Sequence, residues 1–81
     1  MEKSPAVAFY TRKIRSTDRF TLFDEIESAP LTKKDRYFLY DIIEGMSYKE
    51  LACKYCLSEA GVYKWKRKTF EAMHRFYMRK I

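Results

Sequence analysis

Leu31 to Val62 reads LTKKDRYFLYDIIEGMSYKELACKYCLSEAGV, and the punctuation of this stretch decides the fold. Thr32 is a good N-cap with Asp35 three residues on, and Phe38, Leu39, Ile42 and Ile43 recur at helical spacing behind it. Gly45 then stops the helix, as a residue free to take positive φ does. Ser47 with Glu50 is a capping box, so a new helix begins at Tyr48, buries Leu51 and Ala52 and ends near Tyr55. A short turn of Tyr55, Cys56 and Leu57 follows, and Ser58 caps another helix.

That last helix carries Val62, Trp65, Thr69, Phe70, Met73 and Phe76 or Tyr77 on an apolar side. No Gly or Pro interrupts the stretch to the C-terminus, so a length above twenty residues, roughly 30 Å, is expected. Upstream, a helix is expected from about Asp18 to Ser28, with Phe20, Phe23 and Ile26 on one face and Pro30 just past its end. Met1 to Arg15 has no helical periodicity. Its Phe9 and Tyr10 beside Arg12, Lys13 and Arg15 read either as an arm that packs on the body or reaches nucleic acid, or as a partly ordered terminus. The reading is an all-α chain of about four helices with a long C-terminal helix. Residues 1–15 form the basic, aromatic arm and 16–81 the folded domain, with the motif at 47–69.

Eighty-one residues make one small domain and leave little material for an enzyme cleft beside the core. Seventeen Lys and Arg against eleven Asp and Glu give a formal +6, while 47% of residues are apolar, which describes a folded basic domain rather than a disordered tail. The charge is uneven. Lys3 to Arg15 and Lys64 to Lys80 are basic and Asp18 to Glu27 is acidic, which suits one phosphate-facing side. Ala6 to Tyr10 is too short an apolar run for a signal peptide or a membrane span, so no membrane partner and a cytoplasmic location are expected. Cys53 and Cys56 form a lone C-x-x-C with no second pair. Zinc wants four ligands and a thioredoxin-like motif wants strands, so neither a metal site nor a cofactor is expected. His74 has no base, nucleophile or metal set around it, and no catalytic constellation is found.

A helix-turn-helix needs a small residue where its helices approach, apolar anchors after the turn, and a second helix with one face free for the DNA major groove. Ala52, Leu57 and Val62 answer the first two demands. The free face then presents Ser58, Glu59, Ala60, Tyr63, Lys64, Arg67 and Lys68, small or polar residues first and cations after, an order that suits base edges and then phosphates. Lys64, Arg67 and Lys68 are assigned to phosphates. Tyr63 and Glu59 either touch base edges, Glu accepting from cytosine, or are plain surface residues. Lys49 would position the backbone beside the groove, whereas Lys33 and Lys34 are read as merely exposed.

These residues resemble the LuxR-type helix-turn-helix and its relative, region 4 of bacterial sigma factors. Leu31, Thr32, Arg36, Leu39, Ile42, Glu44, Gly45, Ser47, Lys49, Glu50, Leu51 and Ala52 fall without gaps on the family pattern, and Leu57, Ser58, Glu59 and Val62 continue it after the turn. Ser47 and Tyr48 before Glu50, and the helix ahead of Pro30, are also similar to sigma region 4. The resemblance implies a helix-turn-helix fold, double-stranded DNA as partner, and a role in regulating transcription. Three positions depart from it. Cys56 stands where glycine is usual, at a cost of about 1 kcal/mol if φ stays positive. Gly61 replaces a common threonine able to contact phosphate, and Trp65 replaces a usually polar residue. LuxR-type domains also turn into a further helix where this chain runs on unbroken.

Phe70, Met73, Phe76, Tyr77 and Ile81, with Met78, are more apolar residues than one helix needs. Either they pack on Phe9, Tyr10 and the first helix, or they form a protein contact: a homodimer through the C-terminal helix, or docking on RNA polymerase as the resemblance to sigma region 4 implies. Two further functional readings stay open beside DNA binding. One is a protein-interaction module for RNA polymerase or a sigma factor, and the other is a recognition subunit for phage DNA packaging.

Overall fold

In a computed structural model, residues 4–79 are described and form five helices. They are α1 (Pro5–Ser16), α2 (Arg19–Ser28), α3 (Lys33–Ile43), α4 (Tyr48–Tyr55) and α5 (Glu59–Arg79). Among the described residues there is no strand, so the all-α expectation stands with one helix more than the four anticipated.

The extra helix is α1, which replaces the expected arm at 1–15. Pro5 opens it with φ already suited to a helix, and Ser16 closes it by bonding back to the Arg12 carbonyl at 3.0 Å. Ala6, Tyr10 and Ile14, each four residues apart, do lie on one face. The sequence carries no start signal, because Ser4 makes no side-chain cap and the first turn has no acid. The face becomes a helix stripe only against α5, where Tyr10 meets Phe70 edge to face at 4.9 Å and Phe9 meets His74 at 5.0 Å.

Caps written in the sequence set the other four helices. Asp18 accepts from the Thr21 N–H at 3.0 Å and from its hydroxyl at 2.6 Å, and these bonds hold the Asp18 carboxyl below the ordinary range. Thr32 accepts from the Asp35 N–H, and Gly45 ends the α3 segment with φ +99°. Ser47 and Glu50 exchange both bonds of the capping box, at 3.1 and 2.8 Å. Ser58 accepts from the Gly61 N–H at 3.0 Å and starts α5, which runs 21 residues. Arg36 adds a cap that the caps in sequence do not announce: its Nη2 donates to the carbonyls of Glu27 and Ala29, at 3.3 and 3.2 Å, where α2 ends.

Two apolar clusters divide the interior. Tyr10, Ile26, Ala29, Leu39, Phe70, Met73 and Tyr77 join α1, α2, α3 and the far half of α5. Phe38, Leu51 and Val62 join α3, α4 and the near half of α5, with Trp65, Tyr55 and Ala52 packed around them.

Two expectations are corrected by this packing, and one open alternative is decided. Phe20 does not face inward with Phe23 and Ile26. It is 80% exposed, because Leu22, Ile26 and Ala29 form the stripe that meets the core and Phe20 points away from it. Leu57 is no buried anchor but 41% exposed, since Phe38, Leu51 and Val62 close the cluster without it. Phe70, Met73 and Tyr77 are not a free protein interface: α1 and α2 cover them, Phe70 and Met73 almost completely, while Phe76 is half-buried at the edge of the same cluster. Ile81 lies outside the described residues. A dimer through that set would have to strip α1 from α5 first.

Candidate nucleic-acid interface

The region starts at α4, held on α3 by its last turn. Asp41 accepts from the Lys54 ammonium at 2.8 Å and from the Tyr55 hydroxyl at 2.6 Å. Burial, reinforced by that carboxylate acceptor, pushes the Tyr55 phenol well above its ordinary range. Cys56 then takes the left-handed conformation, φ 58° and ψ 47°, and the Leu57 N–H bonds back to the Ala52 carbonyl at 2.9 Å. The anticipated positive φ at a residue with a Cβ is therefore real, with its cost of about 1 kcal/mol. After this turn the chain enters α5 from Ser58.

Trp65 sets the roll of α5 about its axis. Its ring stacks on Phe38 with centroids 3.9 Å apart and planes at 13°, meets Tyr55 edge to face at 4.9 Å, and donates from Nε1 to Asp35 Oδ1 at 2.8 Å. This explains its departure from a polar residue: the indole faces inward and ties α5 to the first turn of α3. Val62, fully buried, fixes the same inner side.

With Val62 and Trp65 turned in, Glu59, Ala60, Lys64 and Lys68 are exposed on the outer side of α5. Tyr63 and Arg67 belong to the same stripe and are half-buried. The Tyr63 ring stands 6.5 Å from that of Tyr48, and Arg67 forms an ion pair with Glu71 one turn on, at 3.3 Å. Ser58 is exposed, but its hydroxyl already serves as the helix cap. Lys49 is exposed on the first turn of α4. The structure thus sets these residues along one stripe of α5, while Lys49 is placed only as an exposed residue of the neighbouring helix.

Two cations near this stripe escaped the sequence reading. Lys66 donates to the Tyr48 hydroxyl at 3.0 Å and lies over the Tyr48 and Phe70 rings, so it clamps α4 to α5. Lys34, read as merely exposed, has its ammonium 5.4 Å from the Trp65 ring and borders an open cleft of about 330 Å³ with Thr32, Asp35, Leu57, Gly61 and Trp65. A Cβ added at Gly61 would stand 3.3 Å from the Ser58 hydroxyl, a tight contact that this capping side chain would have to relieve by a few tenths of an ångström. No local signal links Lys34 to a helix that starts far along the chain.

Among the described residues, no three His, Cys, Asp or Glu side chains are grouped to hold a metal ion, and Cys53 and Cys56 are both exposed free thiols. No helix among them is long and apolar enough to cross a membrane. No protein-family profile, curated protein or solved structure matches the chain.

Proposed function

We propose that α4, the turn at Cys56 and α5 form a helix-turn-helix that binds double-stranded DNA, and that the protein regulates transcription. The observation that carries this reading is the outer stripe of α5. Directly after a three-residue turn it offers Glu59 and Ala60, then Tyr63 and Lys64, then Arg67 and Lys68, while Trp65 and Val62 occupy the inner side. Small and polar side chains at the start of a helix allow close approach to base edges, and cations one and two turns on meet phosphates. Lys49 at the start of α4 adds a phosphate contact beside the groove. The gap-free likeness of Leu31 to Val62 to LuxR-type and sigma region 4 domains supports the same assignment.

Salt-dependent binding to duplex DNA tests it. Lys64 and Lys68 are exposed, so Lys64→Ala with Lys68→Ala leaves the fold intact and removes two phosphate contacts. Binding should weaken, and the slope of log affinity against log salt should flatten by about 2. An unchanged slope in a folded double variant would show that DNA, if bound, is bound elsewhere.

A further inference from the structure

The exposed cations of α5 do not stop where its near half ends. Lys64, Lys68, Arg75 and Arg79 are all exposed, and at about 3.6 residues per turn they fall within about 60° of one another around the helix. They make one line along an unbroken helix, opposite the buried Val62, Met73 and Tyr77. The line consists of two pairs. Lys64 and Lys68 stand about 6 Å apart along the axis, Arg75 and Arg79 the same, and about 10 Å separates Lys68 from Arg75. Glu71, tied to Arg67 at 3.3 Å, and Ala72 fill the interval.

The second pair has no acid to neutralise it. α1, which packs on the far half of α5, contains no Asp or Glu, and from Thr69 to Arg79 the one acid is Glu71, already in its ion pair. Glu25 of α2 approaches from the inner side, where it accepts from the hydroxyl of the buried Tyr77. Neither Arg75 nor Arg79 forms an ion pair with a described residue. The negative end of the helix accounts for a cation in the last turn, as Arg79 is, but not for Arg75 one turn earlier. Two guanidinium groups at a fixed spacing, facing water without an acid, suit phosphate oxygens, which arginine meets with paired N–H donors.

We propose that Arg75 and Arg79 form a second phosphate-binding pair, which holds the duplex backbone across a minor groove from the stretch that Lys64 and Lys68 hold. This rests on the DNA reading of α5. Lys64 and Lys68 meet the backbone at the edge of the major groove that the start of α5 enters. The next backbone along the duplex lies beyond a minor groove about 6 Å wide, and the interval of about 10 Å between the two pairs is long enough to step over it. Contacts to phosphate carry no base sequence, so the second pair adds affinity and salt dependence rather than selectivity. It also fixes the angle of α5 on the duplex, because a helix held by two pairs about 16 Å apart cannot pivot about its first turns.

The test is the salt dependence of binding between the full chain and a labelled random-sequence duplex two helical turns long, read by fluorescence anisotropy. Three double variants each remove two positive charges at exposed positions: Lys64→Gln with Lys68→Gln, Arg75→Gln with Arg79→Gln, and Arg12→Gln with Arg15→Gln, the last on the side of α1 turned away from the buried Tyr10. The two α5 variants should each flatten the slope of log affinity against log salt by about 2, and their combination by about 4, because both pairs engage one duplex at once. The α1 variant should keep the parent slope, and all should keep the parent melting curve. A parent slope in the Arg75, Arg79 variant beside a flattened one in the Lys64, Lys68 variant would overturn the second contact and leave the DNA reading standing. Parent slopes in both would overturn the two together. Equal flattening by all three would show that net charge alone governs binding, and a combined loss of only about 2 that the pairs never act together; either result sinks the proposal.

Discussion

The near and far halves of α5 belong to one uninterrupted helix yet live in different surroundings. From Glu59 to Lys68 the helix is packed on its inner side only, where Val62 and Trp65 meet Phe38, Leu51 and Tyr55. From Thr69 onward α1, α2 and α3 share it, and Phe70, Met73 and Tyr77 are buried together with Tyr10, Ile26 and Leu39. Even the Thr69 hydroxyl is turned back onto the carbonyls of Trp65 and Lys66, at 3.0 Å each. The difference teaches why the near half can afford an open polar stripe: the far half anchors the helix, and an unbroken backbone ladder carries that rigidity forward.

The largest blow to this division of labour is Phe70→Ala. Removing a fully buried ring beneath α1 should cost about 3–5 kcal/mol, a large share of the stability of so small a domain. Urea unfolding followed by circular dichroism should show one transition at a much lower midpoint. Two separate transitions would mean that the halves of α5 do not depend on each other.

A smaller change sharpens the other end. Cys56→Gly relieves the left-handed strain at the entry to α5 and should stabilise the protein by about 1 kcal/mol, seen as a higher urea midpoint at unchanged slope. Loss of stability instead would show that the Cys56 side chain holds the near half in place.

The smallest effect concerns α2 and α3. Burial first, and then the hydrogen bond to Glu27, push the Tyr40 phenol up to about 12. Because the folded value lies above the unfolded one, its stabilising contribution is complete below pH 10 and fades as pH rises from 10 through about 12. Thermal melting across that range should show Tyr40→Phe losing less stability than the parent chain. Identical alkaline curves would remove Tyr40 from the account.

Where the chain signals its own structure, the signals are local bonds between residues three or four apart. Asp18 with Thr21, Thr32 with Asp35, Ser47 with Glu50, and Ser58 with Gly61 mark four helix starts, and Gly45 marks one stop. The stripe of Ala60, Tyr63, Lys64, Arg67 and Lys68 was legible for the same reason, since it follows from helical spacing once Val62 is taken as inward. Arg36, by contrast, caps α2 from another helix, and Trp65 chooses its side through Phe38 and Asp35, so neither role is visible nearby in the chain. Among the aromatics, composition alone does not say which meets water. Phe20 stays out while Phe70 goes in, although both sit in helices with apolar neighbours.

By itself the amino-acid sequence determined four helices, the turn between α4 and α5 and the order of side chains on the outer stripe, because capping bonds and helical periodicity act within a few residues. Tertiary structure alone decided that 5–16 is a helix, that Phe70, Met73 and Tyr77 belong to the core rather than to a partner, and that Phe20 and Tyr37 are left uncovered. Those outcomes depend on which apolar stripe reaches which neighbour, and burial is a property of the assembled helices, not of any one segment.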